Sequence, residues 1–179
     1  MQDPNNPSRE ELVQWFNSPD IQENVLAYAR ECSRERGLDI TFEGVYRQGF
    51  LERPDLVNLD PFVIAQNSAE RALNNQGILR GTIFEFMKSA RILDGRISPV
   101  HISFAKQYEP SSIPGYRVNP NPIFYEGKAN ADQVYRGRWR FSSDVGDLAR
   151  RGTFELIAIE DTNQNPRISP ENANQDHKT

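Results

Sequence analysis

Residues 134–141 constrain the fold more than any other stretch of the chain, because two kinds of side chain alternate along them. Aromatic residues and one glycine occupy one parity, and the other parity holds Arg136, Arg138 and Arg140. Successive side chains of a strand point to opposite faces, so the pattern predicts a strand with one buried face and one exposed face. The C-terminal two-thirds of the chain is therefore expected to be antiparallel sheet. The predicted buried row is Tyr135, Trp139 and Phe141.

The first forty residues carry the signals of two helices. Ser8 and Glu11 form a capping box, which predicts a short helix over about residues 9–17. Ser18-Pro19 predicts a second helix over about residues 19–36, and Gly37 suits the left-handed position that ends a helix. We expect both helices to pack on the sheet or to plug one end of a barrel, with docking to a partner as the alternative. The apolar stripe of the second helix is Ile21, Val25, Tyr28, Ala29 and Cys32.

The next segment is predicted to be a strand and then a third helix. Residues 38–46 adopt a two-residue period, which is typical of a strand. A turn signal at residues 53–55 follows, and Asp60-Pro61 is a helix-start signal. A strand at residues 62–64 is the alternative, because Phe, Val and Ile all favour strands. The predicted helix ends before Gly77 and contains Phe62, Ala65, Ala69, Ala72 and Leu73.

Residues 78–160 consist of short β-forming runs separated by turn signals. Asp94-Gly95 is typical of a two-residue hairpin turn, and four prolines between residues 110 and 122 predict a long loop. This regular spacing favours an antiparallel up-and-down β-barrel or a strongly curled sheet, in an α+β protein with two N-terminal helices and one further helix. The expected divisions are an N-terminal helical segment at 1–37, a barrel-like domain at 38–161 and a disordered tail at 162–179.

Short motifs recur on the successive predicted strands. They read Phe-Ala-Lys-Gln-Tyr at 104–108, Tyr-Glu-Gly at 125–127, Gly-Arg-Trp at 137–139 and Gly-Thr-Phe-Glu-Leu at 152–156. This series resembles the strand motifs of small bacterial meander β-domains, and the wider shape is similar to lipocalin-like and avidin-like barrels. In the lipocalins the Gly-x-Trp motif lies on the first strand, whereas here it lies on the next-to-last. The resemblance implies a barrel and, more loosely, a ligand inside it.

Composition and charge argue against several classes of protein. Residues 1–60 contain six Lys/Arg and twelve Asp/Glu, and residues 61–179 contain fifteen and thirteen, so no strong basic excess favours nucleic-acid binding. No apolar run approaches the roughly 20 residues of a membrane helix, and the N-terminus lacks the pattern of a signal peptide. Cys32 is the single cysteine, which favours a reducing, cytoplasmic location.

No catalytic, metal or nucleotide motif stands out in the sequence. His177 lies in the predicted tail and His101 is a lone strand histidine, so a zinc site built on nitrogen and sulfur is not expected. Cys32 lies on an apolar helix stripe, as a structural cysteine does. We therefore expect no cofactor and no metal, and an enzyme is the less favoured interpretation. The carboxylates that would have to pair for acid–base work are Glu85, Asp94, Glu126 and Glu155.

The sequence analysis thus favours a non-catalytic binding module. It would hold a small apolar ligand in the barrel interior or a protein partner at its surface. One alternative is an enzyme with a diffuse carboxylate and His101 site, and another is a regulatory subunit that acts through the acidic N-terminal helices. Arg136, Arg138 and Arg140 are either a solvated row paired with Glu126 or Glu155, or a surface for an anion or partner. The candidate ligand-lining residues are Phe84, Phe86, Phe104, Tyr125, Trp139 and Phe154.

Overall fold

The structure of the protein is a computed structural model that describes residues 7–50, 53–110, 114–115, 117–118, 120–141 and 151–159, with side chains at 48–58 left undescribed. Two helices come first, and a third lies between the second and third strands. Helix α1 spans Arg9–Phe16, helix α2 spans residues 19–36, and α3 is the short helix Ser68–Asn74. The strands are β1 (Asp39–Phe50), β2 (Arg53–Gln66), β3 (Ile78–Leu79), β4 (Thr82–Glu85), β5 (Lys88–Ile97), β6 (His101–Tyr108), β7 (Ile123–Ala129), β8 (Val134–Phe141) and β9 (Arg151–Ala158).

Eight of these strands close into an antiparallel barrel. The order around the barrel is β5-β4-β2-β1-β9-β8-β7-β6, and β6 pairs with β5 to complete the ring. Strand β3 pairs with the far end of β5, on the side that β4 occupies further along. Apart from β3, each strand therefore pairs with the barrel strands that precede and follow it along the chain, and β1 and β9 pair with each other at the seam. The predicted α+β architecture with an up-and-down β-barrel is confirmed.

The inward faces of the strands supply an aromatic core. On β8, Tyr135 and Trp139 are buried inside the barrel and Phe141 is half-buried. Arg138 and Arg140 are exposed on the outer face, as the alternating pattern predicts. Gly127 lies opposite Gly137, and a Cβ at Gly127 would come within 2.9 Å of the Phe154 ring, so the packing there leaves no room for a side chain.

Both N-terminal helices lie on the outer surface of the barrel and do not plug an end. Leu12 of α1 packs on Val45, Val134 and Ile157, which are outward residues of β1, β8 and β9. Leu26 and Ala29 of α2 cover Val63 and Phe84 on β2 and β4. Helix α2 contains three pieces, which are the α-helical Pro19–Ile21, the π-helical Gln22–Leu26 and the α-helical Ala27–Arg36. The predicted capping box at Ser8 and the left-handed Gly37 are both present.

Asp94-Gly95 is a bulge, so the prediction of a hairpin turn there is wrong. Strand β5 runs through both residues, its register against β6 shifts between Leu93 and Arg96, and Asp94 has φ +51°. A β-bulge and a hairpin turn both favour residues that tolerate positive φ, so the same dipeptide suits either. The turn between β5 and β6 lies instead at residues 98–100.

The third helix is shorter than the sequence predicts, because its first residues belong to a strand. Phe62 and Ala65 lie on β2, and the helix begins at Ser68 behind an Asn67 capping box with Glu70. The alternative of a strand at residues 62–64 is therefore the correct one. The predicted tail at 162–179 lies outside the described residues. Among the helices that the structure describes, none is both long enough and apolar enough to span a membrane.

Candidate functional site

A cavity of about 340 Å³ lies at the end of the barrel where β6 ends and β7 begins, which we call the upper end. Tyr108 closes β6 and Ile123 opens β7, so the connection between these two strands starts and finishes at the cavity. This volume is at the lower limit of the pockets that hold small molecules. Its lining residues are Tyr46, Lys88, Lys106, Tyr108, Arg117, Val118, Ile123, Tyr125, Trp139 and Phe141.

A buried ion pair forms the floor of this cavity. Lys106 is 2% exposed, and its Nζ donates a hydrogen bond of 3.1 Å to Glu85 Oε2. The Tyr46 hydroxyl donates to Glu85 Oε1 at 2.6 Å. The Lys106 ammonium also lies 4.7 Å from the ring centroids of Tyr46 and Tyr108 and 5.3 Å from that of Tyr125. Carboxylate, hydroxyl and aromatic groups thus replace the water that the ammonium loses on burial.

Interactions within this network keep both Lys106 and Glu85 charged. Burial acts to raise the pKa of Glu85, but Lys106 and the hydrogen bond from Tyr46 outweigh it and hold that pKa below its usual range. Burial acts to lower the pKa of Lys106, but Tyr125 and Glu85 outweigh it and hold that pKa well above its usual range. Burial raises the pKa of Tyr108 far above its ordinary value. At neutral pH the network therefore contains an ammonium, a buried carboxylate and neutral phenols, and the ammonium is not a nucleophile.

Below the cavity the barrel is filled by aromatic side chains. The Phe104 and Tyr125 rings stack with centroids 4.8 Å apart and an interplanar angle of 6°. Phe154 packs edge-on against Tyr125 at 5.2 Å, and Phe104 and Phe154 are buried. The Trp139 indole N–H donates to the Arg47 carbonyl at 3.0 Å, so its polar group is already satisfied by the protein. Among the residues that the structure describes, the cavity inside the barrel therefore lies at the upper end, above this aromatic packing.

The structure separates the six predicted ligand-lining residues into three groups. Tyr125 and Trp139 line the cavity, whereas Phe104 and Phe154 belong to the packed core below it. Placing Phe84 and Phe86 on the inward face is wrong. Phe84 is buried on the outer face beneath α2, and Phe86 is 54% exposed at the turn between β4 and β5.

Sequence reasoning missed the charged floor of the cavity. Glu85 and Lys106 occupy inward positions on β4 and β6, where the sequence analysis expects apolar residues. A signal was present in the run Phe104–Tyr108, because Lys106 shares the parity of both aromatic residues. A lysine on the aromatic parity of a strand is a candidate for a buried cation with a partner carboxylate.

A second concave surface, of about 700 Å³, lies on the outside of strands β5 to β9, and we call it the outer groove. Arg138 and Arg140 of the predicted arginine row line it together with Arg151 of β9. The Arg140 guanidinium lies 4.9 Å from the centroid of the exposed Phe124 ring. The other outward residues of the groove are Asp94, Ser103, Ala105, Glu126 and Thr153.

Arg136 does not line the outer groove with the other two arginines of the row. Its Nη1 lies 2.8 Å from Asp132 Oδ2, and its Nη2 donates to the Pro7 carbonyl at 2.8 Å. Beside it, Arg47 and Glu155 form a buried ion pair. Burial raises the pKa of Glu155, and the hydrogen bond from Arg47 opposes that rise. Arg136 thus contributes to the attachment of the N-terminal segment.

The residues considered for catalysis are dispersed over the barrel. His101 opens β6, and its Nε2 lies 3.4 Å from Glu126 Oε1 in a largely exposed pair. Glu85 lies inside the barrel and Glu155 lies outside it. Cys32 is a free, half-buried cysteine that packs against the apolar cluster between α2 and the barrel. In the part of the chain that the structure describes, no three His, Cys, Asp or Glu residues are grouped as metal ligands would be.

The sequence matches no protein-family model and no curated protein, and the fold matches no solved structure, at a significant level.

Proposed function

We propose that the protein is a non-catalytic binding module that takes a small, largely apolar molecule with one acidic group into the upper end of the barrel. The observation that carries the proposal is the cavity of about 340 Å³, whose walls are aromatic and whose floor is the buried Lys106. Pockets for small molecules combine apolar walls with a few well-placed polar groups, and this cavity has that composition.

The charges around the cavity favour an acidic ligand. Lys88 and Arg117 line it in addition to Lys106, whereas Glu85 is engaged by Lys106 and Tyr46. Lys106 already pairs with Glu85, so a carboxylate at the entrance would lie near the side chains of Lys88 and Arg117. The flat apolar part would contact Tyr108, Trp139 and neighbouring rings. A reducing, cytoplasmic location and the similarity to lipocalin-like barrels stay part of this proposal.

Naphthalene-2-carboxylate is a suitable probe, with the neutral naphthalene-2-methanol as its counterpart. In a Trp15→Phe background, Trp139 is the single indole and its emission reports entry into the cavity. We expect saturable quenching by the carboxylate at concentrations below about 1 mM, and weaker binding of the alcohol.

A pair of matched variants locates the binding. Val118 lines the cavity and is half-buried, whereas Val100 is 64% exposed in the turn between β5 and β6. Val118→Trp should weaken binding at least fivefold by calorimetry, and Val100→Trp should leave it unchanged. Equal binding to both variants, or no binding of either probe to the wild-type protein, would refute the proposal.

A further inference from the structure

The outer groove contains two arginines that the sheet register places side by side. Arg140 on β8 pairs directly with Arg151 on β9, and like charges in directly opposite positions destabilise a sheet. Both side chains are exposed, and no carboxylate within the described ranges forms an ion pair with either of them. A fold that keeps two such cations together is suited to an anion that neutralises both.

The same row of the sheet ends in an apolar surface. Phe124 on β7 pairs with Arg140 and is 37% exposed, and Ala105 on β6 pairs with Phe124. The row thus changes from two guanidinium groups to an aromatic ring and a methyl group over four neighbouring strands. A ligand that fits this row must carry an anion next to an apolar group.

The next row of the groove provides a third arginine. Arg138 lies two residues before Arg140 on β8, between Glu126 of β7 and Thr153 of β9. Residues i and i+2 of a strand are about 6.6 Å apart, which is also the spacing of alternate side chains in an extended peptide. Two carboxylates at alternate positions of such a peptide would therefore reach Arg138 and the Arg140–Arg151 pair together.

We propose that the outer groove docks an extended acidic segment of a partner protein, with carboxylates at alternate positions beside an apolar side chain. Guanidinium groups bind carboxylates in a planar, bidentate geometry, which suits exposed arginines on a rigid sheet. Asp94 and Glu126 also line the groove, and they disfavour a continuous polyanion such as a nucleic acid. The strands of the groove are fully paired, so recognition would use side chains and not an added strand.

The probe is a fluorescein-labelled peptide with the repeat Asp-Phe-Asp-Ser, measured by fluorescence anisotropy at low salt. The protein carries a net charge of -4, so general attraction does not draw an acidic peptide to it and binding would report a local site. We expect the Arg140→Ser, Arg151→Ser double variant to weaken binding at least tenfold. The matched control is Arg34→Ser with Arg91→Ser, which removes the same charge from exposed positions on α2 and β5 outside the groove and should change binding less than twofold.

Four results would overturn the proposal. The first is no binding to the wild-type protein, and the second is equal loss in both double variants with urea melts showing both folded. The third is equal binding of a peptide with Asn in place of Asp, or displacement of the peptide by single-stranded RNA at lower concentration. The fourth is self-association of the wild-type protein in sedimentation velocity that the groove variant abolishes, since the occupant would then be a second copy of this chain.

Discussion

Replacing Lys106 with methionine is the most direct test of the charged cavity floor. The variant keeps an unbranched side chain that is one atom shorter, but it leaves the Glu85 carboxylate inside the barrel without its cation. Coulomb attraction across the 3.1 Å between Nζ and Oε2 is about 5 kcal/mol at an effective dielectric constant of about 20. Removing one partner of a buried pair usually costs about 3–5 kcal/mol, because the other charge stays buried.

We place Lys106→Met near the lower end of that range, at about 3 kcal/mol lost from the free energy of unfolding. The reason is that Tyr46 still donates a hydrogen bond to Glu85 in the variant. A domain of ordinary stability has about 5–15 kcal/mol, so the change is large enough to measure without abolishing the fold. Urea unfolding followed by tryptophan fluorescence, with linear extrapolation to water, gives the number.

Two further variants make this measurement decisive. Lys128→Met removes an exposed lysine from β7 and should stay within about 0.5 kcal/mol of the wild type. Adding Glu85→Gln to Lys106→Met removes the unpaired charge while keeping an acceptor for Tyr46, so it should recover more than half of the loss. A loss below about 1 kcal/mol for the single variant, or no recovery in the double variant, would refute the assignment of Lys106 and Glu85 as a buried pair.

Trp139→Ala should cost about 3–5 kcal/mol in a urea melt, because the indole is buried and its N–H bonds the Arg47 carbonyl, and a loss under about 1 kcal/mol would contradict this. Met87 has φ +59° in the two-residue turn between β4 and β5, so Met87→Gly should raise the free energy of unfolding by roughly 0.5–1 kcal/mol, and Phe86→Gly should not. Burial raises the pKa values of Tyr46 and Tyr108. The stability that these two neutral phenols contribute is therefore present below about pH 10, the ordinary tyrosine pKa, and is lost as the pH rises further. Their absorbance at about 295 nm should change only as the barrel unfolds in alkali, and gradual ionisation of the folded protein would show that they are exposed.

Acid should also reduce the stability that the Lys106–Glu85 ion pair contributes. The folded-state pKa of Glu85 lies below its ordinary value, so its contribution to stability is present above the unfolded pKa of about 4.3 and is lost as the pH falls through the lower folded value. Glu85→Gln should flatten the pH dependence of the unfolding midpoint in this acid range. An unchanged acid profile in the variant would show that other carboxylates control it.

The sequence pattern was sufficient to predict the barrel, but not the cavity and the buried ion pair at its upper end. Alternation along residues 134–141 correctly predicted the strand, with Tyr135 and Trp139 facing the core and Arg138 and Arg140 facing water. Around Phe84 the same rule failed, since helix α2 covers the outer face and both faces of β4 are buried. Glu85 could then turn inward because Lys106, about twenty residues away on another strand, neutralises it. A periodicity rule that treats each strand alone cannot detect such a pairing.

The outer groove shows a related gap between pattern and structure. Arg138 and Arg140 were visible as a row, but Arg151 joins them only through the β8–β9 register. Arg136 had the same pattern and yet binds Asp132 and the Pro7 carbonyl, because the N-terminal segment crosses that row. The difference depends on tertiary packing, which alternation along one strand does not encode.

The pairing of β1 with β9 has a consequence for how the protein acquires its structure. This seam joins Phe42 to Ala158 and Gln48 to Gly152, so the barrel closes through contacts between residues more than a hundred positions apart. During synthesis the edge of β1 that faces away from β2 has no partner strand until β9 emerges, although strands β2 to β8 have already been made. Long-range closure of this kind slows folding and leaves edges that can pair with another chain. The efficiency of production should therefore depend on temperature and chaperones more strongly than the stability of the finished barrel suggests.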